Sequence, residues 1–240
     1  RTLLACLDGL AGQPFDGDWP RAAAFRSYAE VLRRAYEKRL LEDGHAALAS
    51  PAPDCTSHLS VIDAAGNMVT LTQTLLSLFG SKVVLPSTGI LMNIGIMWFD
   101  PRPGRPNSLA PGVRPLSNMC PVIAQDEAHR IAIGASGGRR IMPAVMQILS
   151  FVIDYGMSLE EAFAQGRIDV SGEGLVTMSR DLDAEVQAAL RAAVGAETVR
   201  ATAYPLPFAC PSAVMHDLLE NDHYGTAEFI HPWADAVAVT

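Results

Sequence analysis

The chain has no run of 18 or more apolar residues, so no helical membrane span is expected of it. It also has no basic stripe and no Lys/Arg-rich tail. Its 26 acidic residues outnumber 18 basic ones, and the net charge of −8 is spread over short acidic stretches, which argues against nucleic acid as a partner. Cysteine is scarce: Cys6, Cys55, Cys120 and Cys210 lie too far apart for metal-ligand spacing, and four in a chain this long make no disulfide framework. The six histidines, at 45, 58, 129, 216, 223 and 231, are equally dispersed, and His223 and His231 belong to nothing resembling a zinc motif. No metal site and no cofactor are expected. Residues 1–10 lack the plan of a secretory signal and the first residue is not Met, so the expectation is a soluble chain that begins inside a longer precursor, its compartment open. No internal repeat or low-complexity segment occurs.

What is there is core-forming material. Of the 240 residues, 49% are hydrophobic and 18% charged, enough for one large domain or two small ones.

The most informative stretch is Asp54-Cys55-Thr56-Ser57-His58-Leu59-Ser60-Val61-Ile62-Asp63. Leu59, Val61 and Ile62 nearly alternate with polar residues, as in a half-buried strand. Ala65-Gly66-Asn67 supplies a turn, and Met68-Val69-Thr70-Leu71-Thr72-Gln73-Thr74 returns as a second strand. Thr56 therefore stands at the mouth of a hairpin. A threonine hydroxyl is a weak nucleophile without a neighbouring base. If the chain is cut before Thr56, the new α-amino group, with a pKa near roughly 8, can be that base. A threonine that merely opens a hairpin is the commoner fate of such a residue.

Upstream, Asp18-Trp19-Pro20 predicts a helix start, with Asp18 as cap and Pro20 in the first turn; Ala24, Tyr28, Val31, Leu32 and Tyr36 share one face, and Gly44 follows Glu42-Asp43 as the stop. Residues 47–55, with two prolines, read as an exposed connector, where chains get cut. Residues 100–115 hold five prolines and two glycines and read as a structured loop. Strands are predicted at 120–124 and 130–134, then near 175–179, 197–203 and 211–217. Gly134-Ala135-Ser136-Gly137-Gly138-Arg139-Arg140 leads into a helix over 141–154 that is apolar almost all round and so buried between layers, with Gly156 as its stop. Ser158-Leu159-Glu160-Glu161 is a capping box, and a further helix is predicted over 182–193. Sheets covered by helices follow from this order.

Several segments together resemble the gamma-glutamyltranspeptidase family of N-terminal nucleophile hydrolases. They are Thr56-Ser57-His58-Leu59-Ser60-Val61-Ile62-Asp63, Leu71-Thr72-Gln73-Thr74, Phe79-Gly80, Gly89-Ile90-Leu91-Met92-Asn93, Arg114-Pro115-Leu116-Ser117-Asn118-Met119 and the run from Gly134 through Ile141, in the family's order. The match thins after Gly156, where 162–169 still resembles the family, and residues 20–55 resemble the end of its large subunit.

The resemblance implies an α+β, four-layer αββα sandwich made as one precursor. It implies self-cleavage between Cys55 and Thr56, with 1–55 as the end of the large-subunit part and 56–240 as the small-subunit catalytic part of the same structural domain. Thr56 is then the nucleophile of an amidohydrolase or acyltransferase acting on a γ-glutamyl or related small amide. Thr74 matches a threonine that contacts the nucleophile's amine, Gly137-Gly138 match the oxyanion site, and Ser117 matches a substrate-binding serine. As isolated residues, the glycines make a strand-to-helix turn and Ser117 a loop hydroxyl bonded to its own backbone. The partners implied are a small-molecule amide and the remainder of the large subunit; a homo-oligomer is left open.

The same resemblance fails where the family grips the glutamyl α-amino and α-carboxylate groups. Leu76 replaces an asparagine, Gly95 and Trp98 replace glutamine and aspartate, and Asn118 replaces the second serine. An ammonium that loses a buried carboxylate partner loses on the order of several kcal/mol. Trp98 could hold a cation by its face for roughly 1–2 kcal/mol, or be plain core. Arg139-Arg140 could bind an anion or make surface ion pairs. Two alternatives stay beside the leading one: an acylase of a non-γ-glutamyl amide, and an unprocessed binding or assembly protein.

Overall fold

The computed structural model describes residues 1–13, 15–44, 55–171, 174–203 and 207–238. The connector expected at 47–55 lies, except for Cys55, outside the described residues.

The core forms on helices that alternate apolar and polar faces. Helix α1 (Thr2–Leu10) was not expected from the sequence; it packs on α2 (Ala22–Glu42). Helix α2 begins after Arg21, and Asp18 does not cap it; no side chain does. Gly44, at φ +83°, follows its C-cap Asp43, a left-handed conformation that glycine adopts without a Cβ clash. The predicted face is buried as expected: Ala24, Tyr28, Val31, Leu32 and Tyr36. Phe25, Tyr28 and Phe151 meet with ring centroids 5.7–6.2 Å apart, and the Tyr28 and Ser150 hydroxyls lie 2.8 Å from each other. Each such ring contributes about 1.5–3 kcal/mol by leaving water. This joint fixes α2 on helix α3 (Ile141–Tyr155), whose buried residues cover nearly its whole circumference; Gly156 ends it in the left-handed conformation.

The next layer is an antiparallel sheet. Strands β3 (Val122–Gln125) and β4 (His129–Ser136) pair as predicted, β8 (Cys210–Asp217) joins β4, and β9 (Asp222–Ala227) closes the order β3-β4-β8-β9. Ile131, Ile133, Ala135, Ala213 and Met215 on one face join the core beneath α3.

The other face of that sheet receives the hairpin of β1 (Thr56–Ile62) and β2 (Met68–Thr74), paired from Thr56↔Thr74 to Ile62↔Met68. Here the structure corrects one expectation. The residues turned toward the sheet are the polar ones (His58, Ser60, Thr70, Thr72), whereas Leu59, Val61, Val69 and Leu71 form an outer face exposed by 42–57%. The described residues thus supply helix, sheet and hairpin layers in the α+β order expected, with the hairpin's apolar outer face open.

The remainder forms a small flank. Helix α4 (Leu159–Ala164) opens with the predicted capping box; short strands β5 (Ile168–Asp169), β6 (Thr177–Ser179) and β7 (Glu197–Val199) pair in that order; and α5 (Ala184–Val194) packs on α2. The strands expected at 175–179 and 197–203 are shorter than predicted, and β5 and β9 were not expected. Buried Gln147 of α3 ties β5 in place through the Ile168 N–H (2.9 Å) and carbonyl (2.8 Å).

Candidate active site

Thr56 and Thr74 are opposite one another at the open end of the hairpin. The Thr56 hydroxyl donates to Thr74 Oγ1 at 3.0 Å, and the Thr74 hydroxyl donates to the Cys55 carbonyl oxygen at 3.2 Å. The Leu75 N–H donates to the same carbonyl at 3.1 Å, and the Leu76 N–H to Thr74 Oγ1 at 2.9 Å. The carbonyl just before Thr56 is therefore held by two donors, and a hydroxyl relay runs to it from the Thr56 side chain. Ladder register sets the backbone part of this: β2 ends at Thr74, the partner of Thr56, so Leu75, the next residue, faces Cys55.

Beneath these residues lies a polar layer the sequence did not reveal. On the same face as Thr56, the His58 ring meets Thr72 Oγ1 (2.8 Å, Nδ1) and Ser60 Oγ (3.0 Å, Nε2), and Thr70 donates to the Ile133 carbonyl at 3.2 Å. Burial of the ring pushes the His58 pKa down to about 4, so it is neutral at pH 7. The ring occupies space left by Gly134 of β4, where any Cβ would collide with it. A glycine inside a strand marks a close approach, and Gly134 within β4 is the sequence signal of this one.

Gly137 and Gly138 turn the chain from β4 into α3, through a 3-10 turn over Gly138–Arg140. Their φ angles of +129° and +62° are in the region that favours glycine, and a Cβ on Gly137 would lie 2.8 Å from Ala209 Cα. Gly137 is buried against Ala209 and Gly138 is half-buried, and the two precede the 3-10 turn that leads into the 15-residue helix α3. Arg140 acts electrostatically on buried Asp169, whose pKa burial pushes up while the Ser171 hydroxyl and Arg140 draw it down.

The segments expected to bind substrate form a connected rim. Leu76 begins a strained loop: Leu76, Phe79 and Lys82 have φ of +70°, +61° and +61°. The Ile94 N–H donates to the Leu75 carbonyl at 3.1 Å, which brings the 3-10 turn Gly95–Trp98 alongside Leu76. The Trp98 ring lies against Gly95, where a Cβ would stand 3.5 Å from it. Asn107, nearly buried, donates to the Trp98 carbonyl (2.5 Å) and accepts from the Leu116 N–H (3.1 Å), stapling the proline-rich loop to the Ser117-Asn118 segment. The Ser117 hydroxyl accepts from the Met119 N–H at 3.1 Å, which is the bland role foreseen for it. Asn118 Oδ1 accepts from Arg39. Cys6, Cys120 and Cys210 are free thiols, and burial pushes them up to about 12, 11 and 11. Among the described residues no group of three His, Cys, Asp or Glu could hold a metal ion, and no helix is long and apolar enough to cross a membrane.

A family model described as gamma-glutamyltranspeptidase matches residues 21–224. The chain is 36% identical over 166 residues to an acylase ACY 1 proenzyme of Pseudomonas sp. (strain SE83), covering 69% of this chain and 30% of that protein. It is 38% identical over 114 residues to a glutathione hydrolase proenzyme of Bacillus subtilis (strain 168), covering 47% and 19%. The chain therefore spans less than a third of the length of these curated relatives. Among solved structures, gamma-glutamyltranspeptidase from Pseudomonas nitroreducens complexed with L-DON superposes with a TM-score of 0.60 at 26% identity, over 77% of this chain and 98% of that one. Cephalosporin acylase from Bacillus halodurans gives a TM-score of 0.75 at 18% identity, over all of this chain and 49% of that one, a likeness of fold alone.

Proposed function

This chain belongs to the gamma-glutamyltranspeptidase family, and from that premise we propose that it is the catalytic part of a self-processing amidohydrolase or acyltransferase whose nucleophile is Thr56. The observation that carries the reading is the relay from the Thr56 hydroxyl through Thr74 to the Cys55 carbonyl, with Leu75 N–H as second donor.

In the first reaction Thr56 Oγ1 attacks the Cys55 carbonyl carbon while its proton enters the relay. The carbonyl oxygen takes up negative charge against Leu75 N–H and Thr74 O–H, a preorganised pair of donors. The C–N bond then breaks, the proton goes to the nitrogen, and a Cys55–Thr56 ester remains. Water hydrolyses it to a carboxylate at Cys55, a free Thr56 hydroxyl and a free Thr56 amine. In the second reaction the hydroxyl attacks a substrate amide with that amine as base, and the acyl-Thr56 ester is resolved by water or by an acceptor amine. Gly137 and Gly138 offer N–H groups for the oxyanion of this step.

The substrate is a small amide. The polar grip expected for a γ-glutamyl group is replaced by Leu76, Gly95 and Trp98, and a relative named an acylase matches more of this chain than one named a glutathione hydrolase. A non-γ-glutamyl acyl group is therefore the second reading. Residues 1–55 are the end of the large-subunit part, and the remainder of that subunit is the partner. The test is the intact mass of the full-length precursor beside its Thr56→Ala variant. Two fragments split at Cys55–Thr56, absent in the variant, support the reading; one uncut chain in both removes the amine base and leaves a binding protein.

A further inference from the structure

Helix α2 lies before the proposed cut, yet its last turns end against both loops of the candidate site. The Tyr36 hydroxyl donates to the Arg139 carbonyl at 2.5 Å, one residue past Gly138. Three residues on, Arg39 Nη2 donates to the Ser117 carbonyl at 2.9 Å and to Asn118 Oδ1 at 2.8 Å, while Nη1 donates to Thr2 Oγ1 at 3.1 Å. The planar guanidinium spans acceptors on two consecutive residues and a third on α1, which a point charge cannot do at once. Tyr36, Arg39, Ser117 and Asn118 line one open cavity of about 650 Å³.

The rest of the support for this segment is slight. The Ser117 hydroxyl is bonded to its own backbone at Met119, and Leu116 is held by Asn107. Asn118 stands where the resemblance places a serine, and a serine at this position would lack the amide oxygen that Arg39 grips.

We propose that Arg39 is a positioning residue: from the segment ahead of the cut it fixes Ser117 and Asn118, and so sets the substrate affinity of the cut enzyme without taking part in the cut. This rests on the reading of Thr56 given above. The two roles separate because the hydrogen bonds of the cleavage geometry run among Cys55, Thr56, Thr74 and Leu75, whereas those of Arg39 run to Ser117, Asn118 and Thr2.

The experiment uses the full-length precursor as wild type, Arg39→Ala and Arg39→Lys. Three things are measured: the rate of cleavage by intact mass, kcat and KM for γ-glutamyl and butyryl p-nitroanilides, and amide hydrogen exchange at Ser117–Met119. Arg39→Ala is expected to be cut at the wild-type rate. Its KM should rise on the order of tenfold with kcat within about threefold, the size of losing charge-assisted hydrogen bonds. Its exchange at Ser117–Met119 should quicken by a similar factor, and Arg39→Lys should recover part of both. Unchanged KM and unchanged exchange in Arg39→Ala overturn the proposal while leaving Thr56 as nucleophile. A wild type that is not cut overturns the Thr56 reading, and the exchange comparison then decides the Arg39 brace by itself.

Discussion

Thr56 Oγ1 stands 3.0 Å from Thr74 Oγ1, and Thr74 Oγ1 in turn 3.2 Å from the carbonyl oxygen of Cys55, so the hydroxyl proposed to attack and the carbonyl proposed to be attacked share one intermediary. Removing that intermediary should slow the cut without unfolding the hairpin, because the backbone ladder does not depend on it. Thr74→Val keeps the β-branched shape and is expected to slow cleavage at Cys55–Thr56 about 100-fold, the usual worth of one positioned proton-transfer group or oxyanion donor. A time course by intact mass checks it. Cleavage at the wild-type rate would show that Leu75 N–H suffices.

Gly134 and His58 form a lock between the hairpin and the four-stranded sheet. A methyl group at Gly134 falls within the imidazole, and both sheets are held by ladders that leave little room to retreat. Gly134→Ala is expected to destabilise by about 1–3 kcal/mol, the cost of overpacking. Because the collision is with one ring, His58→Ala in the same chain should return a good part of it. A double-mutant cycle on denaturation midpoints reads the coupling; additive losses would mean the ring is not the obstacle.

The same histidine gives the protein a pH limit. Unfolded, it binds a proton near pH 6.5; folded, burial holds its pKa down to about 4. Between these values the unfolded chain carries more protons, so its share of stability is intact above pH 6.5 and is lost as pH falls toward 4. Discounted for the solvent that still reaches the half-buried ring, the loss is about 1–2 kcal/mol. His58→Asn should flatten the stability profile over that interval when midpoints are measured from pH 7 to pH 4.

The outline of the fold was legible where local signals were redundant. Helix α3 is apolar on nearly every face and ends at Gly156, the hairpin has alternation and a turn, and Ser158 with Glu161 spells a capping box that the structure forms. Helix α1 has no side-chain cap and only nine residues, and β9 (Asp222–Ala227) is mostly polar, so neither carries a periodic signal. Alternation in β1 identifies a strand but not which face is covered. The polar face went inward because His58, Ser60, Thr70 and Thr72 satisfy one another there. Arg39 and Asn107 act across 78 and nine residues respectively, distances at which a single sequence offers no pattern.

Leu76 carries the last prediction. Its φ of +70° puts a branched apolar residue in the left-handed region, at a cost of roughly 1–2 kcal/mol relative to a residue suited to it. Asparagine tolerates that conformation because its short polar side chain bonds locally, and asparagine is what the family resemblance places here. The strain sits in the residue whose N–H reaches Thr74 Oγ1 at 2.9 Å, so it persists within the candidate site rather than in a passive loop. Leu76→Asn is expected to raise stability by about 0.5–1 kcal/mol in chemical denaturation, while the N–H contact and the rate of cleavage stay as they are. A stability gain with unchanged cleavage would mean that the leucine is retained for what it does to the substrate. The anilide whose KM rises in the variant then identifies the acyl group that leucine favours. No gain in stability would show that neighbouring contacts, and not the backbone, decide the conformation at this position.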